Sequence, residues 1–127
     1  MKTIISTPKA PSAIGPYNQG TTFQNLVFTS GQIALDPQTM EVVEGGVQEQ
    51  TRQVMENLKD VLEEANSSYE NVLKTTCYLS DMDNFAAFNE IYSEYFKAET
   101  APARSTVAVK TLPKNVLVEV DAIAFKN

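Results

Sequence analysis

Apolar residues recur along this chain with two periods. Val47, Val54, Met55, Leu58, Val61, Leu62 and Ala65 fall on one stripe at helical spacing, which predicts a helix over about 47–65. Phe85, Phe88, Ile91, Tyr92, Tyr95 and Phe96 make a second such stripe. That helix is expected to open at Asp81 or Asp83, both good N-caps, and to run to about Lys97. Elsewhere the apolar residues alternate, the signature of half-buried strands. Strands are predicted at Thr3–Ile5, over 17–23, at Leu26–Ser30 behind a turn at Asn25, at Val72–Ser80, over 104–110 and at Val116–Phe125.

Alternation also sorts the faces. In the fourth strand Leu73, Thr75, Cys77 and Leu79 oppose Lys74, Thr76 and Tyr78. In the fifth, Ser105, Val107 and Val109 are expected to meet the core, with Arg104, Thr106 and Ala108 on the other side. In the sixth, Val118, Val120, Ala122 and Ala124 suit packing under helices, while Glu119 and Asp121 point away. The order of strands, helix, strand, helix, strands predicts a two-layer α+β domain over residues 1–127, with about six strands and both helices on one face. The uncovered sheet face mixes apolar and polar positions, which suggests cover by another subunit.

Composition narrows the chemistry. A chain of 127 residues with 43% hydrophobic and 20% charged residues is of globular type, enough for one core. Its net charge of -6 and the lack of a Lys/Arg cluster disfavour nucleic acid and anionic membranes as partners. No apolar run reaches the length of a membrane span and the first residues lack a leader pattern, so a cytoplasmic protein is the expectation. Histidine is absent, which removes Ser-His-Asp and Cys-His catalysis and the usual zinc sites. The single cysteine, Cys77, sits in an apolar strand pattern and reads as a buried inert thiol. Proton transfer is left to Asp, Glu, Tyr, Lys, a terminus or water. No spacing suggests a metal, and Gly45-Gly46 matches no phosphate loop; it frees the chain to enter the first helix. Glu49, Glu56, Asp60, Glu63 and Glu64 read as a solvated helix face.

The residues that remain are few. Arg104 opens a strand beside small side chains, where a planar cation suits a small carboxylate. Glu119 lies on the next strand in the sequence, and the short turn between them predicts that the two face the same side of the sheet. Two readings stay open: a plain ion pair, or a site in which Arg104 holds an anion and Glu119 handles a water. Tyr17, Ser30 and the amide of Gly31 are further donors. Asn89, beside the aromatic stripe, reads on spacing as a solvated helix residue.

Several segments in order resemble one family: Ala13-Ile14-Gly15-Pro16-Tyr17, Thr29-Ser30-Gly31-Gln32-Ile33, Asp81 through Tyr92, Pro102-Ala103-Arg104-Ser105-Thr106-Val107, and Leu117 through Phe125. Together they resemble the YjgF/RidA proteins, the reactive-intermediate imine deaminases, over nearly the whole length. The resemblance implies a chorismate-mutase-like fold and a homotrimer with clefts between subunits. It implies cofactor-free hydrolysis of 2-imino acids such as 2-iminobutanoate and 2-iminopropanoate to 2-oxo acids and ammonia. On it, Arg104 matches the carboxylate-binding arginine and Glu119 the acid that positions or activates water. Tyr17, Ser30, Gly31 and Asn89 match pocket residues. Thr106 stands where many relatives have cysteine, which argues against a required thiol nucleophile and leaves its backbone amide to bind substrate. Met40 and Asn66 stand where glycine is frequent, so local backbone conformation is expected to be special there. A carboxylate-sensing module and a ribonuclease or translation inhibitor are the competing expectations; the acidic charge and missing histidine count against the last.

Overall fold

The computed structural model describes all residues, Met1–Asn127. Six strands form one sheet: β1 (Thr3–Ile5), β2 (Gly20–Phe23), β3 (Leu26–Thr29), β4 (Val72–Leu79), β5 (Ala103–Ala108) and β6 (Val118–Phe125), in the order β1-β2-β3-β6-β4-β5. All pairings are antiparallel except β4 with β5, which is parallel. Two helices, α1 (Val47–Glu64) and α2 (Phe85–Tyr92), cover one face of the sheet. This is the expected two-layer α+β domain.

The helix stripe on α1 is the centre of the core. Val54, Met55, Leu58, Val61 and Leu62 have no exposed surface, and each contributes about 1.5–3 kcal/mol of burial before chain entropy is subtracted. Facing them are Val118, Val120, Ala122 and Ala124 of β6, with Val27 of β3 and Cys77 and Leu79 of β4. Helix α1 starts where the glycine pair permits it. Gly45 has φ +114°, and the Glu49 carboxylate accepts the Gly46 N–H at 2.8 Å, which satisfies a free donor of the first turn. The helix ends at Asn66 in a left-handed conformation, φ 59°, as its glycine-like position implied. Met40 is left-handed too, φ 60°.

Helix α2 is shorter than its stripe predicts. A 3-10 turn over Met82–Asn84 precedes it, with the Asp81 carboxylate accepting the Asp83 N–H at 2.8 Å. Past Tyr92 the chain goes on in turns, yet Phe96 still reaches the core. Leu73 also departs from expectation. A bulge between Val72 and Lys74 turns Val72 inward and leaves Leu73 exposed, because one extra residue flips the side chains beyond it.

The structure reverses the faces of β5. Parallel pairing sets Arg104 beside Thr75, Thr106 beside Cys77 and Ala108 beside Leu79. Thr75, Cys77 and Leu79 all face the helices, so Arg104 and Thr106 do as well. Ser105 and Val107 lie on the open face, exposed, and Val109 is half-buried rather than a core anchor. β5 is an edge strand, and the short α2 leaves its flank uncovered. The amphipathic arginine can therefore occupy the helix side without losing contact with water.

Candidate active site

A cleft of about 420 Å3 opens where the N-terminal loop, the end of β3 and the start of β6 meet. Tyr17, Ser30, Gly31 and Glu119 line it, with Ile14, Ile33 and Lys114 among their neighbours. The N-terminal loop is held there by Gln19. Its Oε1 accepts the Thr7 N–H at 2.7 Å, and its Nε2 donates to the carbonyls of Thr7, Ala10 and Pro11. This buried amide satisfies a loop that has no ladder of its own. The segment after β3 is fixed from below by Asn57 of α1, whose Nδ2 donates to the carbonyls of Ile33 and Leu35 at 3.1 and 2.9 Å. Gln32 and Val120 exchange backbone hydrogen bonds at 2.9 and 3.2 Å, which brings Gly31 against the first turn of β6.

The closeness of Gly31 to Glu119 needs glycine. A Cβ at Gly31 would fall on the Glu119 carboxylate and within 3.0 Å of its Cγ, so the acid occupies the space a side chain would fill. Glu119 is half-buried. Burial, and then the like charge of Asp121, holds its carboxyl above the usual carboxylate range, because both disfavour the anion. Asp121 is raised by burial as well, opposed by Tyr78 and Lys74. Ser30 donates its hydroxyl proton to the Asn18 carbonyl. Tyr17 is exposed at the rim, its hydroxyl at a long 3.5 Å from the Ile14 N–H.

Arg104, Thr106 and Asn89 are elsewhere. β4 lies between β5 and β6, so the expected neighbourhood of Arg104 and Glu119 does not exist within one chain. Glu119 pairs with Tyr78 on the open face; Arg104 pairs with Thr75 on the helix face. A short turn in sequence predicted adjacency, but the chain after β5 crosses beyond β4 before it enters the sheet. Arg104 Nη1 donates to Asn89 Oδ1 at 2.7 Å, so Asn89 is not a merely solvated helix residue. The Arg104 guanidinium carbon lies 4.7 Å from the centroid of the Tyr92 ring and 5.4 Å from that of Phe85. No carboxylate pairs with it; the one ion pair of the chain is Arg52 with Glu94. The Thr106 hydroxyl oxygen is buried without a hydrogen-bond partner. Cys77 is buried and its thiol is pushed up to about 11, chiefly by that burial, which agrees with an inert role.

Sequence reasoning missed two features: the aromatic rings over Arg104 and the turn at Lys114 and Asn115. Phe85 and Tyr92 read as core because an aromatic at helical spacing carries no mark of a cation above it. Lys114 has φ 56° and Asn115 φ 55°, two consecutive left-handed residues that aim the turn after Pro113 at the cleft; only the Pro-x-Asn turn chemistry hinted at it. No cluster of acidic or thiol groups is arranged to hold a metal ion, and no helix is long and apolar enough to cross a membrane.

The family model described as Endoribonuclease L-PSP matches residues 7–126. The chain belongs to this family, the YjgF/RidA proteins. A RutC family protein of Pyrococcus abyssi is 52% identical over 125 residues, covering 98% of each chain. The 2-iminobutanoate/2-iminopropanoate deaminase of mouse is 44% identical over 126 residues, 99% of this chain and 93% of the mouse one. Among solved structures, that of Escherichia coli TdcF with bound serine superposes with a TM-score of 0.91 at 43% identity, covering 98% of this chain and 99% of TdcF. The superposition on TdcF extends over nearly the whole chain.

Proposed function

We propose that this protein hydrolyses small 2-imino acids to 2-oxo acids and ammonia, in a homotrimer whose sites lie between subunits. The observation that carries this reading is the Glu119 carboxylate seated at Gly31 in an open cleft with Tyr17 and Ser30. Deaminase relatives at 44% identity and serine, an amino acid, in the TdcF structure support it.

The partition of residues supports the assembly. One chain offers the acid cleft on one side of its sheet and an unpaired Arg104 on the other. A site that uses both draws them from two copies. The open sheet face also exposes Phe23, Leu26, Phe28, Val107 and Phe125, an apolar surface that a monomer rarely leaves to water.

In this reading Arg104 of one subunit binds the substrate carboxylate through two parallel hydrogen bonds and fixes the adjoining imine carbon over the neighbour's Glu119. Glu119 orients a water and accepts its proton as the oxygen bonds to that carbon. Its raised affinity for a proton favours the transfer. Glu119 returns that proton to nitrogen, assisted by a hydrogen bond from Tyr17, to complete the carbinolamine; the carbinolamine hydroxyl then passes its own proton through Glu119 to nitrogen, and the C–N bond breaks to release ammonia and leave the 2-oxo acid. The Gly31 and Thr106 amides and the Ser30 hydroxyl hold the polar ends of the substrate, and Asn89 orients Arg104. Such imines hydrolyse unaided in water, so two ionisable groups and no cofactor meet the demand.

The test generates 2-iminobutanoate in place with a threonine dehydratase and follows its decay. Acceleration by the purified protein, lost in Arg104→Ala and Glu119→Gln, is expected. An unchanged decay rate, or full activity in Arg104→Ala, sinks the reading. Binding of 2-oxobutanoate without faster decay favours a sensing module instead, and RNA cleavage lost in Arg104→Ala favours a ribonuclease.

A further inference from the structure

Arg104 has its charge free but its geometry held. A carboxylate can orient a guanidinium through two parallel hydrogen bonds; here three uncharged groups of α2 do so. Phe85, Asn89 and Tyr92 are spaced four and three residues apart, so they lie on one helical face. Asn89 takes one Nη1 proton at 2.7 Å. The Tyr92 ring lies 4.7 Å from the guanidinium carbon and the Phe85 ring 5.4 Å from it. Both distances are within the range of attraction between a cation and an aromatic face.

The Tyr92 ring is itself fixed. Its hydroxyl and that of Thr75 share a hydrogen bond of 2.8 Å, buried, and the ring packs against Phe88 and Phe96 at 5.4 and 4.9 Å between centroids. Thr75 is the residue directly beside Arg104 in the parallel ladder. Three residues thus close a loop: strand neighbour, tyrosine hydroxyl, tyrosine ring, guanidinium. An acid in place of the rings would neutralise the charge and compete with a carboxylate ligand. Aromatic faces orient the fork and leave its charge and its remaining N–H donors for an anion.

We propose that Tyr92, aided by Phe85, is a positioning residue that sets the plane of the Arg104 guanidinium for a carboxylate ligand, and that Thr75 fixes the Tyr92 ring for this purpose. The inference rests on the functional reading above for the ligand's identity.

Binding of 2-oxobutanoate by calorimetry, and kcat and KM with the imine made in place, separate the roles in Tyr92→Leu, Tyr92→Phe, Thr75→Val and Phe85→Leu. Tyr92→Leu is expected to weaken binding and raise KM about tenfold, a loss of ~1.4 kcal/mol that matches a partly desolvated cation–aromatic contact, with kcat changed less than about threefold. Tyr92→Phe should restore most of that loss, and Thr75→Val should behave like Tyr92→Phe. Equal losses in Tyr92→Phe and Tyr92→Leu, or wild-type binding by a folded Tyr92→Leu, overturn the inference. If Tyr92→Leu does not fold, half-buried Phe85 serves: Phe85→Leu should weaken binding about threefold, and unchanged binding overturns the inference. If the wild type binds no 2-oxo acid, the functional reading fails and the clamp is judged by NMR. The Arg104 Nε–Hε signal should be displaced by ring current in the wild type and Tyr92→Phe and move most of the way toward the ordinary arginine position in Tyr92→Leu, and by less in Phe85→Leu, which keeps the nearer Tyr92 ring; an ordinary position in the wild type overturns the clamp.

Discussion

Arg104 and Glu119 point to opposite faces of one sheet. Arg104 sits beside Thr75 on the helix side of β5, Glu119 beside Tyr78 on the open side of β6, with β4 between their strands. The proposed site, which uses both residues, is complete only where two copies of the chain meet. Subunits carrying Arg104→Ala and subunits carrying Glu119→Gln should each be inactive as pure assemblies. Refolded together in equal amounts, they should recover activity at about one site in four, the random share in which an intact arginine meets an intact acid. No recovery in mixed assemblies that are shown to form would place both residues in one chain's site.

The open sheet face makes a second expectation. Val107 lies there, 45% exposed, beside Tyr78. A carboxylate introduced by Val107→Asp would be buried unpaired on assembly and is costly there. Light scattering should show the wild type at three times the chain mass of 14.0 kDa and Val107→Asp at one. A trimeric Val107→Asp removes this face from the interface.

Glu119 should set a pH dependence of stability. Its folded carboxyl is raised by burial and by Asp121, so the folded state binds the proton more tightly than the unfolded chain. The protein then gains nothing from this group at high pH. Its stabilising protonation is complete below the unfolded value of about 4.3 and is lost as pH rises through the folded one. Glu119→Gln should therefore melt higher than the wild type at pH 7, with the gap closing as the pH falls below about 4. A lower melting temperature for Glu119→Gln at pH 7 would contradict the direction.

Gly31→Ala probes the same carboxylate without removing it. The new methyl group falls on Glu119, which is half-buried but at the cleft, so the acid moves rather than the fold breaking. Activity should drop at least about tenfold, the effect of lost alignment at a reacting centre, with the melting temperature within a few degrees of the wild type. Full activity in Gly31→Ala would mean that the position of Glu119 is not critical.

Met40 offers a stabilising change remote from the cleft. Its φ of 60° costs a side-chain-bearing residue ~1–2 kcal/mol, of which glycine's greater freedom in the unfolded chain cancels roughly half. Met40→Gly should raise stability by about 0.5–1 kcal/mol in denaturant unfolding. Any loss would show that the side chain's contacts outweigh the backbone strain.

Much of this molecule was legible from residue patterns. The α1 stripe from Val54 to Leu62 and the alternation of β6 are local periodicities, and each needs only its own segment to be read. The same holds for the left-handed helix end at Asn66, where the chemistry of one residue's backbone decides; at Met40 only the family resemblance pointed to a special backbone. Glu119 at the open side of β6 was visible because a carboxylate between apolar neighbours has only one face to take. The segments of the family pattern identified the fold because they recur in order along nearly the whole chain.

The bulge that exposes Leu73 and the early end of α2 were not legible, and neither were the β5 faces. A strand of six residues with small side chains on both faces has no periodicity strong enough to choose a side. Its neighbour chose for it: β4 imposed its register, and Arg104 went to the side where Phe85, Asn89 and Tyr92 were waiting. Residue types were enough to single out the arginine and the acid as candidates, and the family resemblance supplied their proposed roles. Which way each points, and therefore that one chain holds only half of the proposed site, came from strand order, because hydrogen-bonded neighbours in a sheet need not be neighbours in the chain.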